Sequence, residues 1–110
     1  MIEKTVLDYL NEALDVPVYM EMPEKQPKEF VLIEKTRSST EDFINLATVA
    51  LQSYAESMFQ AAVLNEKVKK AMDNIIVLDD ISRSKRNSDY KFTDTTKKKY
   101  RYQAVYDLVY

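Results

Sequence analysis

Residues 100–110, which read YRYQAVYDLVY, show the alternation typical of a β-strand. One face of this strand would carry Tyr100, Tyr102, Ala104, Tyr106, Leu108 and Tyr110. That face holds four of the eight tyrosines in the chain. Because a tyrosine ring is apolar while its hydroxyl forms hydrogen bonds, the face suits a core edge or a protein–protein interface. The pattern therefore predicts a β-sheet that includes this strand.

Length and composition predict one globular domain, residues 1–110. The chain has 110 residues, of which 45% are hydrophobic and 31% charged. No apolar run approaches the ~20 residues that a membrane-spanning helix needs, and the opening MIEKTVLDYLNE is too acidic for a secretory signal. We expect a protein that is intracellular where it is made and that has no membrane partner.

Four residue types are missing altogether: Gly, His, Cys and Trp. Without glycine there is no phosphate-binding loop or dinucleotide fingerprint, and without His and Cys the common zinc sites, Ser-His triads and thiol nucleophiles are excluded. Of the remaining acids, Asp79 and Asp80 are adjacent and would point to opposite faces of a strand, while Glu41 and Asp42 follow a Ser/Thr-rich stretch. We expect neither an enzyme nor a cofactor or metal site.

Charge is distributed unevenly along the chain. Residues 1–80 contain 8 basic and 15 acidic side chains, whereas residues 81–101 contain 8 basic and 2 acidic ones. The sequence therefore predicts an acidic body with one basic arm.

The first half of the chain predicts a helix followed by strands. Residues 1–14 carry one apolar stripe at helical spacing that stops before Pro17. Short strands are predicted at 16–22 and 30–36, separated by the polar connection PEKQPK and followed by a polar loop at 36–42. Residues 43–54 favour a longer strand, although the Ser/Thr-x-x-Glu/Asp pattern leaves a capped helix over 40–52 open.

The second half predicts a helix and a terminal hairpin. Residues 55–76 are amphipathic, with Met58, Leu64, Val68 and Met72 on the apolar side. The remaining segment forms two strands around a polar turn, which without glycine is expected to be long rather than tight. Together these elements predict an α+β fold in which two helices pack on one face of a mostly antiparallel sheet. A neighbouring subunit is then expected to cover the other face.

Basic side chains are concentrated on the terminal hairpin: Arg83, Lys85, Arg86, Lys91, Lys97, Lys98, Lys99 and Arg101. Clustered Lys and Arg neutralise phosphates, so one interpretation is a nucleic-acid-binding module. A second is a solvated loop, and a third is a basic arm that contacts an acidic face of the next subunit or of another protein. The acidic character of the remaining chain favours an assembling protein over a DNA-binding one.

Four segments spanning nearly the whole chain resemble one protein family: IEKTVLDYLNEAL, VPVYMEMPEKQPKEFVLIEKT, SYAESMFQAAVLNEKVKKAM and RYQAVYDLVY. On these segments the chain resembles the small tail terminator, or tail completion, proteins of long-tailed phages and prophages of Gram-positive bacteria. A different connector protein of the same head-to-tail joining gene cluster remains an alternative.

The resemblance implies an α+β protein that forms a hexameric ring on the head-proximal end of the tail tube. Its partners would be further copies of itself, the tail tube protein and the head connector protein, with DNA only passing through the lumen. It would assemble in the host cytoplasm and remain in the virion tail. No catalytic residues come with the family. The expected contact surfaces are the strand at 43–54, the helix from Ala55 and the hairpin at 81–100, with Tyr100, Tyr102 and Tyr106 beside the basic residues.

Overall fold

A computed structural model describes residues 1–91 and 100–110 of the chain. The first element is helix α1, Ile2–Ala13, which buries Ile2, Val6 and Leu10 at four-residue spacing. Leu14 leaves the helical conformation and becomes extended, in keeping with the restriction that the nearby Pro17 places on the chain. The predicted first helix is confirmed.

The predicted strand at 16–22 is reduced to a two-residue strand β1, Val18–Tyr19, which pairs in parallel with the next strand. Strand β2, Phe30–Glu41, pairs antiparallel with β3, Ile44–Ala55. The prediction of a polar loop at 36–42 was wrong, because β2 continues to Glu41 with a bulge between Lys35 and Arg37. The helical alternative for 40–52 was also wrong, since these residues form the two strands and the turn between them.

Helix α2, Met58–Asp73, begins at Ser57, whose hydroxyl accepts a hydrogen bond from the backbone N–H of Gln60 at 3.1 Å. It is shorter than the predicted 55–76, because Asn74 ends it and a 3-10 turn at Ile75–Val77 follows. Strands β4, Arg83–Lys91, and β5, Tyr100–Val109, then form the predicted antiparallel terminal hairpin.

The sheet has the strand order β1-β2-β3-β5-β4, and every pair except β1·β2 is antiparallel. Both helices pack on one face, where Val49, Leu51 and Leu108 of the sheet contact Val68 and Met72 of α2 in a single core. The predicted α+β class is confirmed. In the part of the chain that the structure describes, no helix is long and apolar enough to cross a membrane.

Side chains alternate between the two faces of each strand, so the register defines a second, helix-free face. On this helix-free face Leu46 pairs with Val109 and Ala50 with Val105. The end near β1 carries an aromatic cluster in which the rings of Phe30 and Tyr54 stack with centroids 4.7 Å apart. Among the described residues, no helix covers the part of this face between the Leu46–Val109 and Ala50–Val105 pairs.

Candidate assembly surfaces

Tyr106 belongs to the core and not to a surface, which corrects its predicted role as an interaction residue. Its side chain is fully buried, and its hydroxyl lies 2.8 Å from Oδ1 of Asp73 and 3.2 Å from the carbonyl oxygen of Lys69. Burial and the neighbouring Asp73 carboxylate together raise the pKa of Tyr106 well above its ordinary value. Tyr100 and Tyr102 are half-buried and remain accessible.

The basic residues of β4 divide between the two faces of the sheet. Arg83 and Lys85 pair in register with Val109 and Asp107 on the helix-free face, while Arg86 and Lys91 pair with Tyr106 and Tyr102 on the helix face. All four are exposed, but they do not form the single basic patch expected of the arm. Lys97, Lys98 and Lys99 lie outside the described residues.

Arg101 lies on the helix-free face beside the aromatic cluster. Its guanidinium donates to the Tyr54 hydroxyl at 2.8 Å and lies 5.7 Å from the centroid of the same ring. Its position is therefore determined by contacts within this chain.

Arg37, Arg83 and Lys85 line a depression of about 330 Å³ on the helix-free face. Asp107 lies in the same depression and accepts hydrogen bonds from Asn87 at 3.0 Å and Thr48 at 2.7 Å. The hydrogen bond from the Asn87 amide has the largest effect on the pKa of Asp107. Together with the weaker effect of the Thr48 hydroxyl, it holds this pKa below its ordinary value despite partial burial. The basic depression thus contains a carboxylate that stays charged at neutral pH.

Polar and apolar rows alternate along the helix-free face. The Gln52 amide donates to Gln103 Oε1 at 2.9 Å, and the Gln103 amide donates to the Tyr90 hydroxyl. This polar row lies two residues from the Ala50–Val105 pair. Such a face can offer a partner both apolar contact and hydrogen-bonding groups that are already ordered.

Phe43 stands at the tip of the β2–β3 hairpin with a relative exposure of 102%. Asp42 and Phe43 are the two central residues of the turn, and both have positive φ, 49° and 68°. Positive φ at both central positions is the geometry of a type I′ turn, in which glycine, asparagine and aspartate are the usual residues, so Asp42 fits the turn and Phe43 does not. We call these two residues the tip.

A second apolar region lies on the outer side of α2, where Phe59 is 77% and Val63 39% exposed. Together with Tyr102 they line a depression of about 370 Å³. Its rim carries Asp89, which accepts hydrogen bonds from the Lys69 ammonium and the Asn65 amide, each at 2.7 Å. Burial raises the pKa of Asp89, but these hydrogen bonds outweigh burial and hold it below its ordinary value. We call this region the apolar depression.

Several of these residues did not emerge from the sequence. Arg37 was assigned to a loop, and Phe43 was read as the first residue of a strand and not as a turn residue. Phe59 offered a usable signal, because it is a large aromatic side chain that falls outside the apolar stripe of α2.

Among residues 1–91 and 100–110, no group of three or more acidic side chains is placed to hold a metal ion. No protein-family model matches the chain, and no curated protein sequence matches it significantly.

Proposed function

We propose that this chain is a structural assembly protein that forms a ring on the head-proximal end of a phage tail tube and joins the tail to the head. The observation that carries the proposal is the helix-free face of the sheet. Its central apolar rows, Leu46–Val109 and Ala50–Val105, are covered by no helix of the described residues; Leu46, Val105 and Val109 are half-buried, whereas Ala50 is buried. An extended face of this composition is typical of a surface that a partner covers.

Further copies of the same chain suit this surface because soluble assemblies are most often built from identical subunits. The ordered polar rows beside the apolar ones would define the register of such a contact. In the proposed role, the ring also contacts the tail tube protein and the head connector protein, first in the host cytoplasm and then in the virion. The resemblance supports these partners, and the role requires no catalytic chemistry.

The basic depression on the helix-free face argues against the alternative of a nucleic-acid-binding module. A phosphate placed between Arg37, Arg83 and Lys85 would also meet the charged Asp107 carboxylate. The remaining cations of β4 lie on the opposite face of the sheet. A phosphate backbone needs several cations on one surface, so assembly is the better supported function.

The first test is electron microscopy of particles made after the gene is deleted from the phage or prophage that carries it. We expect full heads beside unjoined tails, including tails of uncontrolled length. Normally joined virions would overturn the proposed function.

A second test returns variants to the deleted strain. Val105→Arg places a charge on the helix-free face, and Val77→Arg is the matched control because Val77 is 71% exposed and belongs to the 3-10 turn and not to a strand of the sheet. We expect only the control to restore joined virions. If Val105→Arg melts as the wild type does and also restores them, the helix-free face has no role in assembly.

A further inference from the structure

The sheet has two free edges, where no strand of the described residues pairs with the outward backbone groups. Strand β4 has β5 as its one strand neighbour in this part of the chain. Strand β1 pairs with β2 at Val31 and Leu32, so residues 33–41 of β2 have β3 on one side and no described strand on the other. Strand β4 is nine residues long, and the free part of β2 has the same length. Such edges are templates for a further strand.

The hydrogen bonds of the sheet determine which residues of β4 direct their backbone groups outward. In an antiparallel ladder, a residue directs its N–H and C=O to one neighbouring strand and the next residue directs them to the other. The N–H of Tyr110 donates to the carbonyl oxygen of Asn45 on β3 at 3.0 Å. Asp107, three residues earlier, therefore points to its partner Lys85 on β4. The residues on either side of Lys85 then point outward.

The same alternation applies at the edge of β2. The N–H of Val31 donates away from β3, to the carbonyl oxygen of Pro17 at 3.0 Å. Each edge strand also contains one bulge, between Lys35 and Arg37 in β2 and between Arg86 and Ser88 in β4, which shifts the alternation by one residue. The outward residues are then Ile33, Lys35, Ser38 and Thr40 on β2, and Ser84, Arg86, Asp89 and Lys91 on β4.

These two series match one to one when the strands run in opposite directions. Thr40 then stands opposite Ser84, and Ile33 stands opposite Lys91, while the two bulges face each other in the middle. Every outward residue of one edge thereby meets an outward residue of the other, as an antiparallel ladder requires. The two edges are therefore complementary in backbone hydrogen bonding.

Charge is complementary in the same register. Glu41 stands opposite Arg83, and both lie on the helix-free face. Lys35 stands opposite Asp89 on the helix face, where Asp89 already binds Lys69, so the Glu41–Arg83 pair contributes more. No two like charges stand opposite each other, and directly opposed like charges would be destabilising.

A slip of two residues loses this complementarity. It places Arg37 opposite Lys85, both on the helix-free face, so that two cations oppose each other. The slip also moves one bulge past the other, so the outward residues no longer match. One register is therefore favoured by both backbone groups and charge.

We infer that β4 of one copy pairs antiparallel with residues 33–41 of the next copy, with Glu41 opposite Arg83. The inference rests on the proposed function, because it takes another copy of this chain as the partner. The two edges are different surfaces, and a contact of this kind closes into a ring when the rotation between copies allows it. Edge pairing also leaves the helix-free face available for a further contact.

The experiment uses the absence of cysteine from the natural chain. In the inferred register Ser39 stands opposite Lys85 of the next copy, at a non-hydrogen-bonded pair, where two Cα atoms are close enough for a disulfide. Within one copy the two residues are three strand spacings apart, about 14 Å, which is too far for a disulfide. A disulfide in the Ser39→Cys, Lys85→Cys protein therefore reports a contact between two copies.

The concentrated full-length variant is treated with a mild oxidant, and its products are separated without reductant. We expect dimers and higher oligomers, formed at least about tenfold faster than in a Ser39→Cys, Val77→Cys control, because a specific contact raises the effective concentration of the thiols. Adding Glu41→Arg should slow the reaction at least about threefold by opposing two cations, and adding Arg83→Glu as well should restore it.

Hydrogen exchange of the unaltered protein is an independent measurement. Backbone N–H groups at the two free edges should exchange more slowly as the protein concentration rises, because the next copy then pairs with them. The N–H groups of β3, which has a strand on each side within one copy, should show no such dependence.

Three results would each overturn the inference: equal oxidation rates in the two cysteine pairs, no restoration by the charge swap, and edge exchange that is independent of concentration. Dimers from Lys85→Cys alone at the same rate would also overturn it, in favour of a symmetric contact between two β4 strands. Any of these results together with unjoined tails after gene deletion would remove the edge contact and leave the proposed function standing. The expected cross-links together with normal virions after deletion would keep the edge contact and remove the function in the tail.

Discussion

The hydroxyl of Tyr106 on β5 donates a hydrogen bond to Oδ1 of Asp73, near the end of α2, across 2.8 Å. It connects the centre of the sheet to the helix that covers it. We expect Tyr106→Phe to fold normally and to lower the free energy of unfolding by about 1 kcal/mol, the usual net contribution of such a bond. Urea unfolding at pH 7 measures this loss, and Tyr102→Phe, at a half-buried position on the same face, is the control with a smaller expected loss.

The raised pKa of Tyr106 also predicts how this stabilisation depends on pH. A group whose pKa is higher in the folded state contributes stability that is fully present below its unfolded pKa, about 10 for tyrosine, and that is lost as the pH rises further. The wild type should therefore lose more stability between about pH 9 and about pH 11 than Tyr106→Phe does. Identical losses in the two proteins would contradict the assignment.

Asp89 should stabilise the fold at neutral pH through Lys69 and Asn65. Asp89→Asn removes the charged acceptor, and we expect a loss of about 1–2 kcal/mol in the free energy of unfolding. Because the pKa of Asp89 is lowered in the folded state, its contribution is present above the unfolded pKa of about 3.9 and is lost as the pH falls below it.

Unfolding of the wild type and Asp89→Asn at about pH 6 and about pH 3 tests this expectation. The difference in the free energy of unfolding between the two proteins should be smaller at the lower pH. The control is Asp80→Asn, at an exposed carboxylate in the turn before β4, which should change the free energy of unfolding little at either pH. A difference that stays constant with pH would show that Asp89 acts through packing and not through its charge.

Ser53 is fully buried on the helix face of β3, and its hydroxyl has no hydrogen-bond partner among residues 1–91 and 100–110. An unsatisfied buried hydroxyl is costly, so Ser53→Ala should leave stability unchanged or raise it by up to about 1 kcal/mol. Thermal unfolding is a sufficient measurement, with Ser84→Ala as the control. Ser84 donates to the carbonyl oxygen of Met72 at 2.9 Å, so its replacement should be destabilising. A clear loss in Ser53→Ala would mean that the hydroxyl has a partner in solution.

Phe43→Gly should stabilise the monomer even though it removes an aromatic side chain. The left-handed conformation costs a non-glycine residue about 1–2 kcal/mol, which is partly offset by the greater unfolded-state entropy of glycine, about 0.5–1 kcal/mol. We expect a net gain of up to about 1 kcal/mol in urea unfolding. The control is Ile44→Gly, at the neighbouring strand position, which should be destabilising. A loss of stability in Phe43→Gly would contradict the prediction and show that the Phe43 ring has contacts within the monomer.

Local patterns in the sequence were sufficient to predict most of the elements. The apolar stripe of α1, the amphipathic pattern of α2 and the alternation of β5 each depend on neighbours within a few residues, and each element formed close to where it was predicted. Together with the order of the elements, these patterns also predicted the confirmed α+β class.

Residues 36–42 show where local patterns fail. Arg37, Ser38 and Thr40 are polar on both faces of the strand, so they lack the alternation that marks a half-buried strand. They form one because β3 supplies backbone partners at Thr48, Ala47 and Asn45. The tight Asp42–Phe43 turn followed from this pairing, although phenylalanine is not a usual choice at its second central position.

The sequence by itself determined which residues alternate, which helices are amphipathic and where charge is concentrated, because these are properties of neighbouring residues along the chain. Only the tertiary structure decided that Tyr106 faces α2 while Tyr102 stays accessible, that the cations of β4 divide between two faces, and that Asp42 and Phe43 form the turn between β2 and β3. These relationships depend on strand order, register and bulges, which bring together residues far apart in the chain.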